Sequence, residues 1–213
     1  MKTKVAIVAG SASRELAPYK DKTWELWGMN EMSYPGRIDV YWEMHPMSVQ
    51  SDRELEWLKK CRKAVYVLDK ADAILHGVQN PIEYPYGEIL KQSWSIPYFT
   101  CTMAYQIAFA IHKGYKAIAL YGLRMDIGSP RERTVESACI QWWVGVAIGR
   151  GIEVFWDEHP AYNRLRYGYD YWDEIANVDN WLYKLNAHTT YRLGGKHIFV
   201  GGDRDPIRLR NDK

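Results

Sequence analysis

Short apolar or alternating runs recur along the chain, and each one ends at polar or small residues. The first run is continuously apolar, which is typical of a central strand in a parallel sheet. The pattern predicts six strands, at Val5–Ala9, Trp24–Met29, Ile38–Met44, Ala64–Leu68, 116–122 and 152–157.

Three stretches have the apolar spacing and the terminal residues of helices. Ser51 or Asp52 is expected to cap the first helix, and Thr100 or Thr102 the second. The second and third helices stop at glycine, which favours the left-handed backbone of a helix end. The predicted helices cover 51–61, 100–114 and 136–151.

The alternation of strands and helices defines the fold class. The second half of the pattern reads strand, helix, strand, helix, strand, which is typical of successive βαβ units. We therefore predict a Rossmann-like α/β fold, with a mostly parallel sheet flanked by helices. Segment 70–99 contains three prolines and is predicted to be loop with one short helix. The predicted domains are a nucleotide-binding domain at 1–160 and a helical or loop extension with a basic tail at 161–213.

Composition narrows the class of protein further. Hydrophobic residues make up 47% of the 213 residues and charged residues 25%, as in ordinary soluble domains. The net charge of +2 argues against a nucleic-acid-binding protein. Three widely spaced cysteines without a CxxC pair argue against a disulfide framework. The first apolar run is too short for a signal peptide or membrane span, so we expect a cytoplasmic protein without a membrane partner.

Polar residues follow several predicted strands directly. Parallel strands point their carboxyl ends to one edge of the sheet, where ligands of this fold class bind. We therefore expect a binding site at that edge. Its candidate residues are Gly10–Ser13, Asn30, Glu43, His45, Asp69, Gly122–Asp126 and Asp157–His159.

The loop after the first strand contains neither GxGxxG nor the P-loop pattern. Its small residues Gly10, Ser11 and Ser13 could still bring backbone N–H groups close to a phosphate. The alternative is a tight turn without a ligand. Asn30, after the second strand, could pair with a base or ribose, although asparagine is also common in turns.

His45 and Glu43 are the first candidates for acid–base chemistry. They lie two residues apart on one face of a strand, where the carboxylate could orient the imidazole. The alternative is a half-buried histidine paired with a carbonyl. Glu136 is a third candidate. Glu43, Asp126 and Glu136 could also hold Mg²⁺, but their spacing matches no recognised metal motif.

The segments "VAGSAS", "WGMNEM" and "TCTMAYQIAFAIHKGYKAIALYG" together resemble the bacterial sialyltransferase-like group (glycosyltransferase family 42) and the related MptE-like pyrophosphokinases. Residues 4–160 are also similar to uncharacterised bacteriophage proteins. The resemblance places Ser11 and Ser13 in a phosphate loop and matches Asn30 to a nucleotide-contacting asparagine. The other positions that it matches to the nucleotide site are Thr102, Tyr105 and Gly122.

Several residues depart from the pattern of that group. Arg124 stands where the group has aspartate, and Met103 where it has glycine. The general base of the sialyltransferases is a histidine before the last strand, and residues 124–151 contain no histidine. Sialyl transfer itself is therefore not expected, and Glu136, His45 and His159 are the alternative bases.

The sequence favours a nucleotide-binding transferase that moves a glycosyl or phosphoryl group from a nucleotide or nucleotide sugar. One alternative is a non-catalytic protein that binds or sequesters nucleotides. Another is an N-glycosidase or deoxyribosyltransferase-like enzyme acting on nucleosides or NAD. The aromatic segment 167–185 favours a homo-oligomer. A phage-encoded protein would work in the host cytoplasm.

Overall fold

A computed structural model of the chain describes residues 3–10, 12–30, 33–92, 96–125, 132–156, 189–193 and 196–200. Its main feature is a parallel sheet of seven strands in the order β5-β4-β3-β2-β1-β6-β7. This topology confirms the predicted Rossmann-like α/β fold. The strands are β1 (Lys4–Val8), β2 (Trp24–Met29), β3 (Val40–Glu43), β4 (Ala64–Val67), β5 (Pro81–Glu83), β6 (Ala117–Tyr121) and β7 (Glu153–Trp156).

Five α-helices within the described ranges accompany the sheet. Ser51 caps α1 by accepting a hydrogen bond from the Glu54 amide at 3.2 Å, as the sequence predicts. Cys101, and not Thr100 or Thr102, is the N-cap of α4, and its side chain makes no cap hydrogen bond. The helices are α1 (Asp52–Lys60), α2 (Lys70–Leu75), α3 (Tyr86–Gln92), α4 (Thr102–His112) and α5 (Ser137–Gly149).

Segment 70–99 is more regular than the sequence predicts. It contains α2, the edge strand β5 and α3, instead of one short helix in a loop. Asp69 caps α2, with its Oδ1 accepting from the Asp72 amide at 2.9 Å. Pro81 begins β5, a place where an edge strand tolerates a missing amide donor. The prolines therefore mark element boundaries here rather than a continuous loop.

Aromatic rings fill the core between the sheet and α4. Trp27 and Trp42 are 1% and 0% exposed, and their ring centroids lie 5.0 Å apart. Phe109 of α4 packs against both, at 5.7 Å and 5.1 Å. The face of β4 that points away from α4 packs against Leu58 of α1. Much of the tryptophan content thus builds the core of this sheet.

The chain divides into two compact units, Met1–Leu123 with Ala138–Asp157 and Arg124–Ser137 with Glu158–Lys213. In the second unit, the described residues form a short π-helix, Glu132–Glu136, and an antiparallel hairpin of β8 (Thr189–Leu193) and β9 (Lys196–Val200). The sequence patterns did not predict this hairpin. Segment 167–185 lies outside the described residues, and a boundary at 160 stays a prediction. No helix in the described part of the chain is long and apolar enough to span a membrane.

Candidate functional site

The strand order places the candidate residues at the carboxyl edge of the sheet. β1 lies between β2 and β6, so the direction in which strands are added reverses between β1 and β6. The rule for open α/β sheets expects ligands at such a reversal, beyond the carboxyl ends of the strands. α4 leads into β6, and its N-terminus therefore points to the same edge.

The junction between β1 and β6 is closed by the chain itself. The Ser13 hydroxyl accepts a hydrogen bond of 2.7 Å from the Gly122 amide, and Ser13 is 8% exposed. The Ala9 amide donates to the Tyr121 carbonyl at 2.8 Å. Gly122 has a φ of +66°, and a Cβ there would lie 2.6 Å from the Ala9 carbonyl oxygen. These residues, which we call the β1–β6 junction, leave no room for a side chain at position 122.

Only one residue of the predicted nucleotide loop, Ser13, belongs to the β1–β6 junction. The Ser13 hydroxyl accepts a hydrogen bond from Gly122, and its assignment to a nucleotide stays a prediction. Gly10, the first residue beyond Ala9, is exposed at the edge of the sheet. Ser11 lies outside the described residues.

Glu43 and His45 come together, which is one of the two possibilities that the sequence left open. The Glu43 carboxylate receives two hydrogen bonds on one oxygen, Oε1. The first comes from the His45 ring Nδ1 at 2.6 Å, and the second from the His45 backbone amide at 3.0 Å. The carboxylate is 1% exposed and the imidazole 53% exposed. A buried carboxylate thus fixes both the backbone and the ring of a histidine that faces solvent.

Asn30 combines an uncommon backbone conformation with a buried side-chain oxygen. Its φ of 51° lies in the left-handed region, which non-glycine residues rarely adopt. Its side-chain Oδ1 is buried and has no hydrogen-bond partner among the described residues. The register pairs Met29 with Trp42, so Asn30 and Glu43 follow at the same level of neighbouring strands. The second carboxylate oxygen of Glu43, Oε2, is likewise buried and unpartnered in the described part of the chain.

Two predicted residues lie in the first turn of α4. Thr102 is 6% exposed. The ring of Tyr105 stacks on Phe99 at 4.5 Å and meets Tyr84 edge-on at 5.2 Å. Burial raises the pKa of Tyr105 to about 12, so its phenol stays protonated at neutral pH. A protonated phenol can donate a hydrogen bond, and Tyr105 is the fourth residue of α4.

Gln106 is a buried polar residue that the sequence reasoning missed. It is 0% exposed, and its Nε2 donates to the Gly28 carbonyl of β2 at 3.3 Å. Its Oε1 has no partner among the residues described. A single amide inside the apolar run "TMAYQIAFAIH" was the available signal. Gln106 therefore links α4 to the strand that leads to Asn30.

The roles of Glu136, Asp126 and His159 stay predictions. Glu136 ends the π-helix in the other compact unit, so its role as acid or base stays a prediction. Asp126 and His159 lie outside the described residues. Within the described ranges, no group of three His, Cys, Asp or Glu side chains could hold a metal ion. A magnesium requirement therefore stays a prediction.

The fold is similar to that of two sialyltransferases from Campylobacter jejuni. CstII, in complex with the substrate analogue CMP-3FNeuAc, is 14% identical with a TM-score of 0.50, over 74% of this chain and 80% of that chain. The monofunctional α-2,3-sialyltransferase Cst-I is 14% identical with a TM-score of 0.50, over 99% of this chain and 90% of that chain. No family model and no curated protein matches the sequence. At this identity the likeness shows a shared fold.

Proposed function

We propose that the protein is a nucleotide-sugar-dependent glycosyltransferase whose general base is His45. The observation that carries the proposal is the pair of a buried Glu43 and a half-exposed His45 at the ligand edge of the sheet. The shared fold with two sialyltransferases supports a nucleotide-sugar donor. The sugar and the acceptor are left open.

The pair explains how one ring nitrogen would act as a base. When Nδ1 carries the ring proton and donates a hydrogen bond to Glu43 Oε1, the lone pair of the imidazole is on Nε2. Nε2 would take the proton of an acceptor hydroxyl while the oxygen of that hydroxyl bonds to the anomeric carbon of the donor sugar. The bond from that carbon to the phosphate oxygen breaks, and the nucleotide leaves with the electron pair. Glu43 stabilises the imidazolium that forms.

Residues of neighbouring elements would hold the nucleotide. Asn30 offers a buried carbonyl oxygen that lacks a donor among the described residues, and a base or ribose could supply one. Tyr105 and Thr102, in the first turn of α4, would meet the phosphate. Gly10, exposed after β1, allows close approach of the backbone.

Two other functions remain as outcomes of the test. A non-catalytic nucleotide-binding protein would bind the same ligands without turnover. An N-glycosidase would need a carboxylate at the ribose, whereas Glu43 is 1% exposed and bonded to His45. Phosphoryl transfer, a phage source, a cytoplasmic location, homo-oligomer formation and magnesium dependence stay predictions of the sequence.

The test combines binding and turnover. Calorimetric titration with CMP, UMP and GMP identifies the nucleotide, and the matching nucleotide sugars are then assayed for release of the nucleotide. We expect His45→Ala and Glu43→Gln to lower turnover by about 10²- to 10⁴-fold, since this is the range for a general base. Nucleotide affinity should change less than threefold in both variants. Asn30→Ala should instead weaken nucleotide binding.

The matched control is His76→Ala. His76 is also half-buried and pairs with a carboxylate, with Nδ1 3.2 Å from Asp72 Oδ1, but it lies at the end of α2. Turnover should be unchanged in this variant. The proposal is wrong if no nucleotide binds, or if His45→Ala turns over at the wild-type rate.

A further inference from the structure

β1 and β2 part before either strand ends. Their pairing runs from Lys4 with Trp24 to Ile7 with Trp27 and stops there. β2 nevertheless continues to Met29, and β1 stays paired with β6 through Val8. A gap between two adjacent parallel strands therefore opens at the carboxyl edge.

The hydroxyl of Tyr34 occupies this gap. It accepts a hydrogen bond of 2.8 Å from the Met29 amide and lies 2.8 Å from the Met29 carbonyl oxygen. It also lies 3.3 Å from the Val8 carbonyl oxygen. If the parallel ladder continued, its next hydrogen bond would run from the Met29 amide directly to the Val8 carbonyl oxygen. The phenol takes the place of that rung and keeps the strands apart.

Two further features fit this arrangement. Position 28 is glycine, and a Cβ there would lie 3.0 Å from both Cζ and the hydroxyl oxygen of Tyr34. Burial raises the pKa of Tyr34, so the hydroxyl keeps the proton that it donates to a carbonyl. The sequence thus provides both the phenol and the space for it.

Both sides of the gap lead to residues of the proposed nucleotide site. Asn30 follows Met29 directly and adopts its left-handed backbone at this point. Ala9 and the exposed Gly10 follow Val8. We propose that Tyr34 is a positioning residue, whose hydroxyl holds β1 and β2 apart and fixes Asn30 for the nucleotide. This inference rests on the proposed function.

The test compares two tyrosine hydroxyls on CMP affinity. Tyr34→Phe removes the hydroxyl that separates the strands. Tyr41→Phe is the matched control, because Tyr41 is also half-buried but its hydroxyl makes no hydrogen bond among the described residues. At a temperature where all proteins are folded, we expect Tyr34→Phe to bind CMP about tenfold more weakly and Tyr41→Phe to bind within twofold of wild type. A merely structural role would lower the melting temperature without changing affinity.

Gly28→Ala gives a second route to the same result. Its added Cβ would lie 3.0 Å from the Cζ and the hydroxyl oxygen of Tyr34, so the ring has to shift slightly while the hydroxyl is retained. We expect CMP affinity to fall in the same direction as in Tyr34→Phe. Wild-type affinity in both variants would overturn the role of Tyr34 and leave the proposed function intact. If the wild-type protein binds neither CMP nor another nucleotide, the proposed function fails, and the inference with it.

Discussion

At the carboxyl end of β1, the pairing with β6 continues, whereas the pairing with β2 stops early. On the side of β6 the ladder continues past the strand, with the Ala9 amide bonded to Tyr121 at 2.8 Å. Ser13 and Gly122 then tie the two following loops together at 2.7 Å. On the side of β2, pairing stops at Ile7 and the Tyr34 hydroxyl separates the strands. One side is closed, and the other is open.

The difference indicates where a ligand is expected. The general rule for this topology points between β1 and β6. There, however, the chain has used the Ser13 hydroxyl and the space at Gly122 for itself. Beyond the open side, Asn30 Oδ1 and Glu43 Oε2 are buried without partners in the described residues. An unsatisfied buried polar group costs about 1–3 kcal/mol, which a bound ligand would recover. We therefore expect the nucleotide on the β2 side.

The largest effect on stability should come from breaking the closed side. Gly122→Ala places a Cβ 2.6 Å from the Ala9 carbonyl oxygen, at a φ of +66°. Left-handed strain and the clash together should lower the free energy of unfolding by about 3 kcal/mol. Urea denaturation measures this loss.

Gly151→Ala is the control for left-handed strain alone. Gly151 has a φ of +75°, but a Cβ there would meet nothing within 4 Å. This variant should lose only about 1 kcal/mol. Equal losses at the two positions would mean that the β1–β6 junction is not tight.

A smaller loss is expected from Ser13→Ala. The variant leaves the buried Gly122 amide without its acceptor, which should cost about 1–3 kcal/mol of unfolding free energy. Because the hydroxyl is already bonded to Gly122, CMP affinity should stay within twofold of wild type. A tenfold loss of affinity without a loss of stability would instead assign Ser13 to the nucleotide, as the sequence resemblance implies.

The open and closed sides also show what the sequence could predict. Hydrophobic patterning was enough for six of the seven strands and for α4, because strands buried on both faces are continuous apolar runs. It missed the edge strand β5. The sequence left two possibilities for His45, a pairing with Glu43 or with a carbonyl, and the structure shows the first. β3 ends at Glu43, so the contact forms just beyond the strand. The role of Tyr34 is not visible in its local sequence, because it depends on contacts with Val8 across the sheet. The same holds for the bond between Ser13 and Gly122, which are far apart in the chain.

The smallest expected effect is a loss of unfolding free energy at alkaline pH, which should differ between the open and the closed side. The open side depends on a phenol and the closed side on an aliphatic hydroxyl that does not titrate. Burial raises the pKa of Tyr34 above the unfolded value of about 10, so its protonated form stabilises the fold below pH 10. This stabilisation is lost as the pH rises further, because the unfolded phenol ionises first. At pH 11 the loss is at most about 1.4 kcal/mol from each such phenol.

Urea denaturation at pH 8, 10 and 11 measures this loss in three proteins. Tyr19 and Tyr105, whose pKa values burial raises to about 12, contribute to the decline in all of them. As the pH rises, the unfolding free energy of Tyr34→Phe should therefore fall less steeply than that of wild type. The difference should equal the contribution of one phenol. Ser13→Ala should show the wild-type pH dependence from a lower starting value. If Tyr34→Phe also followed the wild-type slope, its hydroxyl would be no more protected than an exposed one, and the open side would not depend on it.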